Sequence, residues 1–408
     1  MTRYKEEKYD VVLVTLTFWP DIDATSKLML DLAEDLGKSG LRTLVIAQNR
    51  SYQDPRVIYP QYENREIFDI QRVQVPLLNK NMGVHKLLLY SIFGRKVSKV
   101  LERTNTGLVL GVFPPFLSTY KVLKTTEGKG CPFVLILHDL HPDTAIRRGQ
   151  LSKRSLLAKV LKNQTYYLMS NSEVIVTLGR DVANYIEEEY KVERERIKNI
   201  PNWGRSIQVG SSLVKTSRIQ ETNRFSVLYA GNFGEASDFM TLLEAADKIK
   251  EIEKAIHFDL VGNGRKKQQV IDIVKEKSLD NISFHDFLPE EDYIDRLLSS
   301  SAFVLTLRPE SKGMSVPSKL YYYLAAGKPI VAIVPKESEI DLAIKEDGFG
   351  ISCPNGDPEC VANGLIRLKR DKQYYDKLSE RTRAVFETKY KREVVTKMYV
   401  NLVKELIK

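Results

Sequence analysis

Short apolar segments alternate with helical segments along most of the chain, and this alternation constrains the fold more than any other feature of the sequence. Each apolar segment is nearly continuous, which is typical of strands buried on both faces of a parallel sheet. The intervening helices supply the crossovers that parallel strands need. The sequence therefore predicts an α/β fold with doubly wound parallel sheets. Strands are expected at 9–16, 42–47, 73–75, 107–112, 133–137 and 173–178, and again at 225–230, 256–261, 281–284, 302–307, 330–334 and 350–352.

The alternation occurs in two series, separated by a polar segment. A chain of 408 residues fits two cores of roughly 200 residues better than one. Residues 204–224 lack any sustained periodicity, so we expect an inter-domain linker there. Rossmann-like domains are predicted at 1–203 and 225–388, facing each other across a cleft that holds ligands at the strand ends. Three further helices are expected near 357–370, 372–387 and 391–406.

Composition excludes several classes of protein. An apolar fraction of 43% argues against disorder, and no apolar segment approaches the ~18 residues that span a bilayer. The charged start of the chain leads directly into a strand, which does not fit a signal peptide. Cys131, Cys353 and Cys360 form no CxxC pair, so neither a disulfide framework nor a structural zinc site is expected. A reducing cytoplasm is consistent with this pattern.

The segment 302–334 predicts a strand, a loop, a helix and a second strand. Pro317 is expected to open the helix, because its missing N–H costs nothing at the first helical position. Gly327 should end it. The loop thus brings backbone amides and Lys319 to a helix N-terminus, where the unpaired amides and the helix dipole favour a phosphate group.

Two glycine-containing turns follow the first two strands of the second series. Gly231 and Gly234 precede one helix, and Gly262 and Gly264, followed by Arg265, precede the next. Neither turn completes G-x-G-x-x-G, and tight β–α turns explain either one alone at least as well. Together with the loop before Lys319, however, they indicate nucleotide binding.

His138 and Asp139 follow the strand at 133–137, so His138 is predicted to be a functional residue; a loop histidine bonded to the backbone is the alternative. A metal site with His141 is disfavoured, because Pro142 interrupts the spacing. Asp21 and Asp23 could pair around a divalent ion, but turn chemistry is the preferred interpretation.

The net charge of +9 is concentrated in 79–103 and 147–162. Apolar residues recur at helical spacing in both segments, so these faces are expected to pack on the sheet with the charges solvated. Two net-basic helices also suggest docking to anionic lipid head groups. Nucleic acid is disfavoured, because aromatic residues are not interleaved with the charges. The residues predicted to face an acceptor or a membrane are Lys86, Arg95, Lys99, Arg147, Arg148 and Lys153.

Several stretches together resemble the retaining glycosyltransferases of the GT-B fold, family 4 group. The similarity looks closest to the branch that builds capsule, O-antigen and exopolysaccharide, and it extends over nearly the whole chain. The matching stretches are 200–203, 229–234, 260–264, 287–290, 316–321 and 324–329, together with the placement of His138.

This resemblance implies a hexosyltransferase that moves a sugar with retention from a nucleotide donor, most simply a UDP-sugar, to a glycan or lipid-linked acceptor. It implies neither cofactor nor metal. It further implies that the second domain holds the donor, that the first holds the acceptor, and that a helix within 389–408 returns to the first domain. His138 and Lys319 would be catalytic, and we add Glu310 as a third catalytic candidate. The implied donor-binding residues are Gly231, Asn232, Gly234, Gly262, Gly264, Arg265, Asp286, Phe287, Ser315, Val316, Ser318, Lys319 and Tyr322.

The sequence departs from the family pattern at two glutamates spaced eight residues apart, which would fall at Met314 and Tyr322. The usual basic pair would fall at Asn232 and Asp238. Glu310 could substitute for a missing glutamate, and a Glu310→Gln variant with intact turnover would contradict that hypothesis. These departures leave two alternatives open: a non-catalytic partner protein of the same fold, and a nucleotide-sugar epimerase. The expected location is the cytoplasm, at the inner face of the membrane.

Overall fold

The computed structural model describes residues 8–77, 83–207 and 224–407. The chain divides into two compact units. The first comprises Met1–Asn202, Gly313–Ser315 and Glu393–Lys408, and the second comprises Trp203–Lys312 and Val316–Arg392. Most of the predicted linker 204–224 and the start of the basic segment 79–103 lie outside the described residues. Within the described ranges, no helix is both long enough and apolar enough to cross a membrane.

The first unit is built on an eight-stranded sheet. Strands β1 to β8 are Lys8–Val14, Thr43–Gln48, Tyr62–Arg65, Phe68–Val73, Asn105–Phe113, Phe133–Leu137, Val174–Thr177 and Ile197–Asn199. Their order is β3-β4-β2-β1-β5-β6-β7-β8. Helices α1 to α6 are Ala24–Lys38, Gly83–Arg103, Phe116–Gly128, Asp143–Arg147, Leu156–Asn171 and Arg180–Tyr190, and a 3₁₀ turn spans Arg194–Arg196.

The edge of this sheet differs from the prediction. A strand was expected at 73–75, but β4 ends at Val73 and pairs with the antiparallel strand β3, which was not predicted. The apolar pattern conceals β4 because Arg72, at its end, is fully buried. Its guanidinium forms an ion pair with Glu63 of β3 and donates to the Trp19 carbonyl over 2.8 Å. A buried charge that is paired in this way is compatible with a strand, although it breaks the expected periodicity.

The second unit contains a six-stranded, fully parallel sheet. Strands β9 to β14 are Phe225–Ala230, Ile256–Val261, Ile282–His285, Ala302–Thr306, Ile330–Ile333 and Gly350–Cys353. Helices α7 to α13 are Phe239–Ile252, Lys267–Glu276, Glu290–Ser299, Lys319–Ala326, Glu339–Asp347, Pro358–Arg370 and Lys372–Val385. A 3₁₀ turn spans Pro309–Ser311, and a π-helical turn spans Phe386–Tyr390.

Helix α10, Lys319–Ala326, begins two residues later than predicted. Ser318, rather than Val316, occupies the position before its first residue. The predicted end is confirmed: Gly327 has a φ of 66° and closes the helix.

Helix α14, Arg392–Leu406, packs within the first unit. Val395, Tyr399 and Val403 are fully buried. The Thr396 hydroxyl donates to Asp35 of α1 over 2.8 Å, which fixes the helix against α1.

The expectation that the cysteines form no disulfide was wrong for one pair. Cys353 at the end of β14 and Cys360 in α12 form a disulfide, with their Cα atoms 5.6 Å apart. The short loop between the two elements turns α12 back onto β14, and this turn brings the two cysteines together although they are seven residues apart in the sequence. Cys131 is free.

Candidate active site

The strand order in the sheet of the second unit has a topological switch point between β9 and β12. The strand order is β11-β10-β9-β12-β13-β14, so the chain proceeds from β9 to one side and continues from β12 to the other. Parallel α/β sheets bind ligands outside the carboxyl ends of the strands at such a switch point. The loops that leave β9, β10 and β12 contain Gly231, Gly262 and the segment before Lys319. Three predicted site elements therefore begin at one edge of one sheet.

The turns after β9 and β10 are packed directly against each other. Gly262 has a φ of 133°, and a Cβ at this position would lie 1.9 Å from the Gly231 carbonyl oxygen. Gly264 has a φ of 154°, and its Cβ would lie 2.4 Å from the Asn232 Oδ1 atom. Only glycine satisfies both the backbone conformation and the available space at Gly262. The two turns thus approach each other through backbone atoms at Gly231 and Gly262 rather than through side chains.

Lys319, the first residue of α10, lies beside this backbone. Its Nζ is 3.7 Å from the centroid of the Tyr229 ring, and a Cβ on Gly231 would be 2.8 Å from the same atom. Burial lowers the Lys319 pKa from 10.5 to about 7. Among the described residues, no carboxylate pairs with it. Its positive charge is therefore available to an anionic ligand at the N-terminus of α10.

Tyr229, which was not predicted as a site residue, supports the ammonium group through its ring face. Its hydroxyl donates to the Asn232 carbonyl over 3.0 Å, so it also fixes the turn after β9. The signal was present in the sequence, because Tyr229 lies two residues before Gly231. Because Tyr229 lies inside an apolar strand, however, the sequence pattern predicts a core residue at this position.

The loop after β10 presents Arg265, which is exposed. Asp286, a predicted donor ligand, is paired with Lys267 over 2.7 Å, and this hydrogen bond keeps the Asp286 pKa below its usual value. Lys267 was not predicted to take part. Phe287 is 62% exposed, and its role as a donor ligand stays a prediction.

Of the residues around the start of α10, Val316 is buried and Ser318 is exposed. The Tyr322 ring makes an edge-on contact with Tyr293, with the centroids 5.7 Å apart. At one position where the family has a glutamate, this chain thus has an aromatic ring packed against α9.

Glu310 lies in the 3₁₀ turn Pro309–Ser311, and its Oε2 is 3.2 Å from the Arg308 Nε. Arg308 in turn is 4.0 Å from Glu235, which pairs with Lys266 over 2.7 Å. Glu310 thus belongs to a chain of alternating charges at the surface. Its catalytic role stays a prediction.

In the first unit, His138 follows β6 as predicted, and its backbone amide donates to the Phe113 carbonyl over 3.0 Å. Its ring Nε2 is buried and has no hydrogen-bond partner among the described residues. Burial lowers the His138 pKa to about 4, so the imidazole is neutral at pH 7. A neutral ring with an unused nitrogen can form a hydrogen bond with a sugar hydroxyl but cannot supply charge.

Segment Gly313–Ser315, predicted to lie with the donor-binding residues, groups with the first unit instead. Met314 is 1% exposed and belongs to that unit's core, and its carbonyl accepts from the Leu140 amide over 3.1 Å. Burial raises the pKa of the Asp139 carboxyl, and a hydrogen bond from the Ser315 hydroxyl offsets part of this rise. The methionine at the first glutamate position therefore has a packing role, which excludes it as a direct counterpart of the family's acid.

Asp21 and Asp23 confirm the turn interpretation. The Asp21 carboxylate is buried and accepts hydrogen bonds from the Ser51 hydroxyl, the Tyr52 amide and the Tyr59 hydroxyl over 2.8–3.0 Å. Asp23 caps α1 by accepting from the Ser26 amide over 3.2 Å.

The two basic helices differ in how their apolar faces are used. On α2, Phe93, Val97 and Leu101 are buried, as predicted, while Arg95 and Lys99 are exposed. Lys86, in the first turn, is exposed as well.

On α5, the expectation that the apolar face packs on the sheet was largely wrong. Of the four apolar residues predicted to pack, Leu156, Leu157 and Val160 are 77%, 45% and 44% exposed and only Leu161 is buried, whereas Leu168 and Met169 further along the helix are fully buried. The first turn of α5 thus exposes apolar side chains a few residues after the exposed Lys153. The neighbouring Arg147 stacks on the Tyr185 ring at 4.5 Å, and Arg148 is partly buried.

Two protein families match the two halves of the chain. Residues 25–203 match "Glycosyltransferase Family 4", and residues 215–385 match "Glycosyl transferases group 1". The chain belongs to the GT-B glycosyltransferases. The predicted fold is thereby confirmed.

This glycosyltransferase is 27% identical over 326 residues to WbjE of Pseudomonas aeruginosa, described as a probable glycosyltransferase, covering 76% of the chain and 77% of WbjE. It is 25% identical over 310 residues to WcaI of Escherichia coli K12, whose name places it among colanic acid biosynthesis glycosyl transferases; 74% of each chain is covered.

Solved structures share the fold at low identity. Sucrose-phosphate synthase of Thermosynechococcus elongatus superposes with a TM-score of 0.78 at 15% identity, covering 98% of this glycosyltransferase and 99% of the synthase. HepE of Anabaena, solved in complex with UDP, gives a TM-score of 0.71 at 12% identity and covers 97% and 100% of the two chains.

Proposed function

We propose that this glycosyltransferase moves a hexose from a UDP-sugar, with retention, to a glycan or lipid-linked glycan in surface polysaccharide biosynthesis. The observation that carries the proposal is the placement of Lys319, without a carboxylate partner among the described residues, beside the bare backbone of Gly231 at the topological switch point. This arrangement suits a diphosphate. Structures of HepE with UDP and with UDP-glucose, and the name of WcaI, support the donor and the pathway class.

Transfer breaks the bond between the sugar's anomeric carbon and the diphosphate oxygen, and negative charge develops on the leaving UDP. Donors that are already in place stabilise such charge without reorganisation. We assign this role to Lys319 and Arg265. We assign the neutral His138 a hydrogen bond to a sugar hydroxyl. The proposed reaction needs no metal or cofactor, and undiminished turnover in EDTA would support this point.

The decisive experiment is calorimetric titration of the protein with UDP, GDP, dTDP and ADP. Selective binding of UDP would support the proposal and name the donor class. Failure of all four nucleotides to bind would favour the non-catalytic alternative. Conversion of a UDP-sugar without an acceptor would instead favour the epimerase. The anomeric configuration of the product, read by NMR, tests retention.

The affinity for UDP should depend on pH through Lys319. Without ligand its pKa is about 7, and binding a diphosphate favours the charged amine, so binding takes up a proton. Above pH 7 the charged fraction of the free protein falls, and the affinity should fall by up to about tenfold per pH unit. Calorimetry at pH 8 in buffers of different ionisation enthalpy measures the proton uptake. Lys319→Arg, which stays charged, should remove it; uptake that persists in this variant would assign it to another group.

We further propose that the protein docks on the cytoplasmic face of an anionic membrane through the start of α5. Leu156, Leu157 and Val160 are exposed there beside Lys153, and the combination of apolar and basic side chains suits the head-group region. Arg95 and Lys99 on α2 add exposed positive charge within the same unit.

Binding to vesicles tests the membrane proposal. The protein should sediment with vesicles that contain phosphatidylglycerol and only weakly with pure phosphatidylcholine. The double variant Leu156→Gln/Leu157→Gln should weaken binding by about tenfold, because two apolar side chains lose their lipid contact. The control Met240→Gln/Ile252→Gln alters side chains of similar exposure, 48% and 56%, in the second unit. Equal effects of the two double variants would refute docking through α5.

A further inference from the structure

The first unit contains a cavity of about 280 Å³. None of the predicted donor-binding residues lines it. It lies where β1, β2 and β4 end and α2 begins. Its walls include the side chains of Gln48, Arg50, Tyr52, Lys86 and Tyr90, and the remaining wall is largely apolar. Pockets for drug-sized ligands start at about 300 Å³, so this cavity suits one sugar ring rather than a nucleotide-sugar.

Both charged residues of the cavity wall are cations. The Arg50 guanidinium donates through Nε to the Val75 carbonyl and through Nη1 to the Pro55 carbonyl, each over 2.8 Å. These neutral acceptors fix the group without cancelling its charge. Neither Arg50 nor Lys86 pairs with a carboxylate in the part of the chain that the structure describes. The cavity therefore has a positive potential, which favours an anion.

The rest of the wall fits a sugar. Tyr52 is 46% exposed, Tyr90 is 8% exposed, and both present aromatic surface to the cavity. Such rings combine an apolar face with a polar hydroxyl, which suits the apolar faces and polar rim of a pyranose. Gln48 donates through Nε2 to the Arg50 carbonyl, while its buried Oε1 has no partner among the described residues. That oxygen can accept a hydrogen bond from a hydroxyl group.

The wall is held in place before any ligand arrives. The buried Asp21 carboxylate binds Ser51, the Tyr52 amide and Tyr59, and so fixes the loop after β2 from beneath. The Asn49 side chain accepts from the Val75 amide over 3.0 Å, which joins the loop after β2 to the segment after β4. A preorganised wall lowers the entropy cost of binding.

We propose that this cavity binds the terminal sugar of the acceptor, and that this sugar carries an anionic group, either a carboxylate or a phosphate. The inference rests on the proposed function and specifies the acceptor class. Lys86 and Arg50 contact the anion, Tyr52 and Tyr90 contact the ring, and Gln48 accepts from a hydroxyl.

The test is to titrate the protein, without nucleotide, with glucuronic acid, glucose 1-phosphate and glucose. Saturation-transfer NMR measures the binding of each sugar. At least one anionic sugar should bind about tenfold or more tightly than glucose. Tighter binding of glucuronic acid would identify the anion as a carboxylate, and tighter binding of glucose 1-phosphate would identify it as a phosphate. Lys86→Gln should weaken binding of the preferred anionic sugar by about three- to tenfold and leave glucose unchanged. Tyr52→Ala should weaken all three sugars alike.

Arg103→Gln is the matched control, since Arg103 is an exposed cation at the far end of the same helix. Equal binding of all three sugars, or equal effects of Lys86→Gln and Arg103→Gln, would overturn the inference. The same preparation is titrated with UDP. Nucleotide binding without a preference for anionic sugars would reject only this inference, whereas absence of nucleotide binding would reject the proposed function independently.

Discussion

Lys319→Ala is expected to weaken UDP binding by roughly 30- to 1,000-fold, which corresponds to about 2–4 kcal/mol for loss of a desolvated charge partner. The effect should be large because the amine lies against the Gly231 backbone, in surroundings that lower its pKa, and no carboxylate among the described residues competes for it. Turnover should fall at least as far, since the same amine opposes the charge that develops on the leaving diphosphate. Calorimetry and a donor-hydrolysis assay measure the two quantities.

The control for this variant is Lys336→Ala, which removes an exposed lysine of the same unit. Its UDP affinity should match that of the unaltered protein. Thermal unfolding of Lys319→Ala should show no loss of stability, because a partly desolvated amine without a carboxylate partner among the described residues does not stabilise the fold. Unchanged UDP affinity in Lys319→Ala would remove the donor site from the start of α10.

Gly262→Ala is expected to lower the free energy of unfolding of the second unit by about 3 kcal/mol or more and to abolish nucleotide binding. The added Cβ would lie 1.9 Å from the Gly231 carbonyl oxygen, and the φ of 133° is itself unfavourable for alanine. Because the obstructing atom is backbone, relief of the clash must separate the turns after β9 and β10. Chemical denaturation and UDP titration measure the two effects.

Gly348→Ala is the control that separates the effect of backbone strain from the effect of a steric clash with the added Cβ. Gly348 also has a positive φ, 65°, but a Cβ there would meet nothing within 4 Å. This variant should lose only about 1 kcal/mol and retain nucleotide binding. Equal destabilisation by the two substitutions would mean that the turns after β9 and β10 are not in contact as described.

The fold could be predicted from the sequence because nearly every strand is a short apolar run between helical segments. Strands β6, β9 and β10 have the predicted bounds, and each is buried along most of its length. Strand β4 was missed because Arg72 is buried through an ion pair, which a local hydrophobic pattern cannot represent. The disulfide between Cys353 and Cys360 escaped prediction for a related reason, since it depends on how α12 returns to β14.

The site could be predicted in part. Glycine spacing and the helix before Gly327 placed Gly231, Gly262 and Lys319 at one edge of the sheet, because those features are local. The role of Met314 could not be read in this way, because its side chain enters the core of a unit that is distant in sequence. The cavity around Arg50 and Lys86 was equally inaccessible, since three strands and a helix contribute to its wall.

The first unit is assembled from three separated stretches of chain, and this has a consequence for folding during synthesis. A ribosome releases Met1–Asn202 well before it makes Gly313–Ser315 and α14. The α14 side chains Val395, Tyr399 and Val403 therefore reach their apolar surroundings last, and until then the first unit exposes surface that it later buries. The second unit lies between these stretches and has all its strands before α14 emerges. The chain should thus complete its second unit first, and the half that is synthesised earlier should be the one that stays open to aggregation longer.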